Sequence, residues 1–191
     1  WSVAFPDGRT VGLVTGYYEP LLRGSRTRTD EFAVPLYAVP DDLLTVDLAS
    51  LYPELKGKRV RARVDGKRVV PYWTRAQIER GAAQTEGKVL AWIADPVDAA
   101  FLQIQGSGRV ELSDGSVMRV GYADQNGHPY RSIGRVLIER GELTRDTASM
   151  QAIRAWGRRN PDKLDELLDQ NPSYVFFRDV PPPAPGTIDA T

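Results

Sequence analysis

The stretch that most narrows what this chain can fold into spans residues 101–134. It sets Phe101, Leu102 and Ile104 among the amides Gln103 and Gln105, then runs through Gly106-Ser107-Gly108 and an Asp114-Gly115 turn. A polar cluster follows: Tyr122, Asp124, Gln125, Asn126, His128 and Tyr130. The alternation over residues 100–105 predicts a strand, and the Asp-Gly pair predicts a hairpin returning over 116–123. Side chains at Gly106-Ser107-Gly108 are minimal, so backbone N–H groups there can face a ligand. Amides, hydroxyls and one carboxylate at strand ends suit a ligand dense in hydroxyl and acetamido groups, since each of these needs a donor or acceptor in return. A plain β-hairpin with polar turns accounts for the same residues equally well.

A chain of 191 residues is long enough for one large domain or two small ones with a real core. Lys+Arg and Asp+Glu balance at 25 each, so no net field draws in nucleic acid or an anionic membrane. There is no cysteine, which excludes a disulfide, a thiolate nucleophile and a Cys-based zinc site. The one histidine, His128, would have to serve any His-containing metal site or catalytic triad, and it reads as a hydrogen-bonding turn residue instead. No metal or cofactor is expected. No apolar run approaches the roughly 20 residues that span a bilayer. The chain opens at Trp1 without a signal-like segment, which reads as an artificial or processing boundary.

Along the chain, residues 10–18 predict a strand stopped by Pro20, and 33–39 a short strand that Pro35 confines to an edge or an end. Residues 47–55 predict a brief helix. Residues 58–64 and 67–73 around Asp65-Gly66 give a clear hairpin pattern. Thr74 with Gln77 three residues on forms a capping box for a short helix ended by Gly81. Residues 89–94 predict an apolar strand broken by Asp95-Pro96. From Ser132 the pattern turns helical: Ile133, Val136 and Leu137 share one face, and Met150, Ile153 and Trp156 line the core side of a second helix. Asn160-Pro161 opens a third helix, with Leu164, Leu167 and Leu168 inward. Residues 174–177 form an apolar strand in want of a partner, and from Pro181 a Pro-rich linker follows.

Thr15-Gly-Tyr-Tyr-Glu-Pro20, Leu102-Gln-Ile-Gln-Gly-Ser-Gly108, the run from Tyr122 to Gly134, and Ser149-Met150 with Trp156 occur in an order that resembles the membrane-bound lytic transglycosylase A family. The resemblance implies a mainly β fold with a few helices: a β-barrel insert domain plus the N-terminal portion of a double-psi β-barrel domain. Residues 1–20 would belong to the double-psi barrel and 21–131 to the inserted barrel. Residues 132–180 would return to the first domain, and 181–191 would be a linker. It implies non-hydrolytic cleavage of the MurNAc-β-1,4-GlcNAc bond of peptidoglycan, leaving 1,6-anhydromuramic ends, at the periplasmic face of an outer membrane. A lipid anchor before Trp1 would be the sole membrane contact. The family's catalytic aspartate would lie beyond Thr191, so no residue here is expected to be catalytic, and protein partners in the envelope are left unnamed.

A lytic transglycosylase uses the muramic acid's own 6-hydroxyl in place of water, so one residue can serve as acid and then as base. The rest of the site holds and bends the sugar. The resemblance assigns glycan contacts to Gln103, Gln105, Gly106, Ser107 and Gly108, then to Tyr122, Asp124 and Asn126, and to Tyr17, Tyr18 and Glu19 where the two domains meet. Glu19 is the in-chain alternative for an acid. Gly106-Ser107-Gly108 lacks the lysine of a phosphate loop, and Arg26 and Arg28 read as a solvated loop. Two other functions fit the same residues: a non-catalytic glycan-binding or scaffold module, and a two-carboxylate hydrolase using Glu19 and Asp124.

Overall fold

The computed structural model describes residues 2–4, 10–13, 19–50 and 52–181. Strands β1 (Ser2–Ala4) and β2 (Thr10–Leu13) pair as an antiparallel ribbon. The body is built on β3 (Leu21–Ser25), β4 (Val34–Tyr37), β8 (Val89–Ile93), β9 (Ser107–Leu112), β10 (Val117–Gln125) and β11 (Val175–Asp179). These form one six-stranded sheet in the order β11-β10-β9-β3-β8-β4, with only β3 and β9 parallel among its pairs. Every strand sends a side chain to a common core, among them Leu22, Leu36, Ile93, Val110, Val120 and Phe177. The sheet curls so that its two outer strands approach: the rings of Tyr37 on β4 and Tyr174 before β11 stand 6.4 Å apart. This is the barrel-like body that the resemblance implied.

A second, three-stranded antiparallel sheet joins β5 (Leu44–Asp47), β6 (Arg59–Asp65) and β7 (Arg68–Pro71) in sequence order. The β6–β7 hairpin turns at Asp65-Gly66, as expected, with Gly66 at φ +60°. The brief helix expected over 47–55 is two short 3-10 turns, Leu48–Ser50 and Pro53–Leu55. Helix α1 (Arg75–Glu79) has its capping box complete: the Thr74 hydroxyl accepts from Gln77 N, and the Gln77 side chain accepts from Thr74 N at 3.0 Å.

Residues 100–105 are helical, against the strand expected there. Helix α2 (Pro96–Gln105) starts where Asp95-Pro96 was read as a strand breaker. The Asp95 carboxylate accepts from Val97 N at 2.8 Å, and Pro96 fills the first helical position. Gly106 ends the helix at φ +77°, a left-handed conformation that costs glycine little. Leu102 and Ile104 alternate with amides, but only Leu102 is buried, and Ile104 is 45% exposed. The apolar contacts follow the helical period instead: Ala99 and Leu102 meet the sheet, and Val97 and Ala100 meet the helices beyond.

Those helices are α3 (Ile133–Glu139), α4 (Met150–Arg159) and α5 (Pro161–Asp169), packed on α2 through Leu137, Ile153, Trp156 and Leu167. Asn160 precedes Pro161 as expected but makes no side-chain cap. Its amide instead donates to Trp156 O at 3.0 Å.

The strand expected at 174–177 is β11, and it has the partner that the sequence seemed to lack. It pairs antiparallel with the far half of β10, whose nine residues are enough to serve β9 first and β11 after. Phe177 enters the barrel core and Phe176 the cluster with Tyr72 and Ile78, so β11 is covered on both faces. Within the six-stranded sheet β11 is a terminal strand, hydrogen-bonded on its β10 side. The division expected at 131/132 falls between β10 and β11, two strands hydrogen-bonded in one sheet.

Candidate functional site

The C-terminus of α2 and the start of β9 meet at Gly106. The left-handed turn there aims Gln105 outward, and a Cβ on Gly106 would stand 3.8 Å from the Cβ of Tyr122 on β10. Ser107 pairs across the ladder with Gly121, the residue before Tyr122. Gly106, Ser107 and Tyr122 are therefore brought together. Gly108 does something else. A Cβ there would come within 2.6 Å of Leu102 Cδ1 and 2.9 Å of Pro20 O, so glycine is needed for close packing of β9 on α2 and β3.

Tyr122 presents a ring that is 48% exposed. Partial burial and the neighbouring Asp124 carboxylate push its hydroxyl to a higher pKa, with Arg61 opposing, so the phenol stays protonated and able to donate. A bulge between Tyr122 and Asp124 in the pairing with β11 re-aims the end of β10. Asp124 Oδ1 accepts from Arg61 Nε at 2.7 Å and from Gln125 N at 2.8 Å. Arg61 comes from β6 of the smaller sheet, and both side chains of the pair are about one-fifth exposed, at 21% and 20%. Gly127 packs against the same arginine: a Cβ there would lie 2.8 Å from Arg61 Cβ. A groove of about 680 Å³ continues from this point, lined by Arg59, Arg61, Val70, Gln125, Gly127 and His128.

Glu19 precedes β3 and ion-pairs with Arg109 at 2.7 Å. Arg109 alternates with Ser107 on the outward face of β9, which places Glu19 on the same side of the sheet. Gln105 also lines a small cavity of about 210 Å³ with Pro20, Leu21, Phe101, Met150 and Arg154. Tyr17 and Tyr18 lie outside the described residues.

Two of the expected contact residues are used inside the protein. Gln103 would share a face with Gln105 on a strand. On a helix, two residues apart means opposite sides. Its side-chain oxygen accepts from Arg75, a buried arginine that also bonds Glu79 at 2.7 Å and lies over the Tyr174 ring at 5.3 Å. Asn126 is 1% exposed. Its Nδ2 donates to Trp73 O at 2.9 Å and Pro172 O at 2.8 Å, and its Oδ1 accepts from Tyr174 N at 2.9 Å. It ties the hairpin arm, β10 and β11 together. His128 is likewise anchored, with Nε2 2.7 Å from Tyr72 O. A carbonyl only accepts, so this nitrogen carries the proton.

Sequence reasoning missed Arg61 and Arg75. Arg61 is one of several arginines alternating along β6, and nothing in that pattern marks the one that reaches Asp124. Among the described residues, no group of three His, Asp or Glu side chains is placed to hold a metal ion.

Comparison with known proteins gives the site its context. Residues 13–178 match the model of the family described as MltA, the MltA specific insert domain. Membrane-bound lytic murein transglycosylase A of Escherichia coli (strain K12) is 39% identical over 180 residues, covering 93% of this chain and 42% of that protein. Among solved structures, MltA from Neisseria gonorrhoeae superposes with a TM-score of 0.78 at 38% identity, over 87% of this chain and 49% of the other. E. coli MltA with bound chitohexaose is also similar, with a TM-score of 0.66 at 36% identity over 87% and 42%. The chain thus spans less than half the length of the curated relatives it matches. By matched length and by identity, it belongs to the family of the MltA-specific insert domain.

Proposed function

We propose that this chain is the glycan-holding part of a peptidoglycan lytic transglycosylase of the bacterial envelope. The observation that carries the reading is the half-exposed Tyr122 ring, set beside the Gly106 turn and backed by the Arg61–Asp124 pair. A tyrosine face with a protonated hydroxyl, set beside Gly106 and Ser107, offers a stacking platform and donors of the kind a hydroxyl- and acetamido-rich chain requires. A relative of known structure, E. coli MltA with bound chitohexaose, supports the same substrate class.

In that reaction the glycosidic C1–O4 bond breaks and the leaving oxygen takes a proton from one acid. The muramic acid's 6-hydroxyl then forms the new bond at C1 and returns its proton to the same group. Residues of this chain hold and orient the glycan. Their two nearby carboxylates are already engaged, Glu19 by Arg109 and Asp124 by Arg61, each at 2.7 Å. We therefore place the proton-transferring acid in a part of the whole protein other than these 191 residues. The pairing of β10 with β11 supports taking residues 21–179 as one unit.

The test is to sediment this chain with purified murein and analyse the soluble products by mass spectrometry. Bound protein without products is expected, with Tyr122→Ala lowering the bound fraction several-fold. Anhydromuramic products would locate the acid inside this chain, and reducing muramic ends would point to the two-carboxylate hydrolase. Absence of binding would overturn the reading.

A further inference from the structure

The three-stranded sheet has two chemically opposite faces. By its register, Leu44, Val46, Val60, Ala62, Val64, Val69 and Pro71 share one face. That face carries no polar side chain. Its outer part is open: Leu44 is 36% exposed, Val60 42%, and Val64 and Val69 61% each, while Ala62 at its centre is 2% exposed. The opposite face turns Arg61 to Asp124 and Arg63 onto the Trp73 ring at 3.5 Å, so the arm is fixed to the body by its arginines and shows its valines to solvent.

Charge around this face is lopsided. In a chain with 25 basic and 25 acidic residues, the run from Lys56 to Val69 holds Lys56, Lys58, Arg59, Arg61, Arg63, Lys67 and Arg68 against Asp65 alone. Lys56, Lys58, Arg59, Lys67 and Arg68 are exposed. Arg59 and Arg68 have loose surface partners, Asp47 at 3.6 Å and Asp65 at 3.5 Å, of the kind that contribute little. Glu54 is the other acid close by in sequence.

We propose that this arm docks on an anionic phospholipid surface, with the valine face at the acyl boundary and the surrounding lysines and arginines among the phosphates. An exposed apolar face bordered by cations is the composition of an interfacial membrane element. Two other occupants fit less well. A second copy would bring two basic rims together and repel. A specific protein partner is usually gripped by buried aromatic anchors and matched hydrogen bonds, and this face offers neither. Arg59, Val60 and Val69 also line the groove at Gln125, Gly127 and His128, whereas Lys56, Lys58, Val64, Lys67 and Arg68 lie away from it.

The experiment is co-sedimentation of the 191-residue chain with vesicles of phosphatidylcholine alone and with about a third phosphatidylglycerol. Binding to the anionic vesicles alone is expected, falling steeply as salt rises from about 0.05 to about 0.5 M. Lys67→Gln with Arg68→Gln, both exposed and away from the core, should lower the partition coefficient about fivefold per charge removed. Val64→Thr with Val69→Thr should lower it further at unchanged charge. Equal binding to both vesicle types, binding untouched by either double variant, or no vesicle binding would each overturn the proposal. So would a dimer in gel filtration that the valine variant dissolves while vesicles bind nothing. Murein sedimentation of the Lys67→Gln with Arg68→Gln variant should be unchanged, which separates this surface from the glycan site.

Discussion

Arg61 Nε and Asp124 Oδ1 meet at 2.7 Å across 63 residues of sequence, joining the middle of the hairpin arm to the end of the longest strand in the barrel. The pair sets the carboxylate beside Tyr122 and leaves it little freedom, because Asp124 also accepts from the backbone of Gln125. The position of the arm and the shape of the candidate site are therefore one problem.

Replacing Arg61 by Met should cost roughly 1–3 kcal/mol, since it leaves a mostly covered carboxylate without its cationic partner. It should also raise the Tyr122 pKa further, because Arg61 is the group that opposes the Asp124 charge there. Urea unfolding checks the first effect and an ultraviolet phenol titration the second. A phenol titration unmoved by the substitution would separate Tyr122 from the pair.

Asn126→Ala should destabilise by about 3 kcal/mol, because the Trp73 carbonyl and the Tyr174 N–H lose their partner in a buried place and the Pro172 carbonyl keeps only Arg75 N. Molecules that remain folded should bind murein as the parent does, since the amide faces inward. A selective loss of binding at unchanged unfolding midpoint would make Asn126 a contact residue after all.

Gly108→Ala should cost about 1–3 kcal/mol by overpacking against Leu102 and the Pro20 carbonyl. Gly106→Ala should cost only about 1 kcal/mol, the left-handed backbone being its main penalty. Thermal melts of the two variants, compared directly, check the order.

Glu79 supplies a pH test. Burial raises its pKa above the ordinary 4.5, with the Arg75 guanidinium opposing the rise. The native state thus holds this proton more tightly than the unfolded chain. Glu79 contributes most below pH 4.5, and that contribution is lost as pH rises toward the raised folded value. The difference in stability between the parent and Glu79→Gln should therefore move against the parent as pH climbs from about 4 to about 7. Melting temperatures across that range check the sign.

Much of the fold was legible where the signal was local. The Asp65-Gly66 and Asp114-Gly115 turns, the Thr74 capping box and the Ser132 cap all stand where the residues placed them. Each depends on atoms within about four residues, so its physics is contained in a short window. The error at residues 100–105 is of the opposite kind. Leu102-Gln-Ile-Gln105 satisfies a two-residue period by coincidence, and only packing of α2 on both the sheet and the helices shows which period is in use.

The candidate site divides in the same way. The Asp114-Gly115 turn was legible in the sequence, but the strand that pairs with β10 across it is Ser107–Leu112, not the expected 100–105. Whether an amide such as Gln103 or Asn126 faces a ligand or a neighbouring strand is decided by what arrives from elsewhere. Here that is Arg75 from α1, and Pro172 and Tyr174 beside β11. The sequence by itself determined the turns, the caps and the apolar faces of the helices, since these follow from backbone sterics and nearest neighbours. Only the tertiary structure decided the partner of β11, the face of Gln103 and the meeting of Arg61 with Asp124. Each of those rests on contacts between residues far apart in the chain, whose free energy exists only once the sheet has closed around its core.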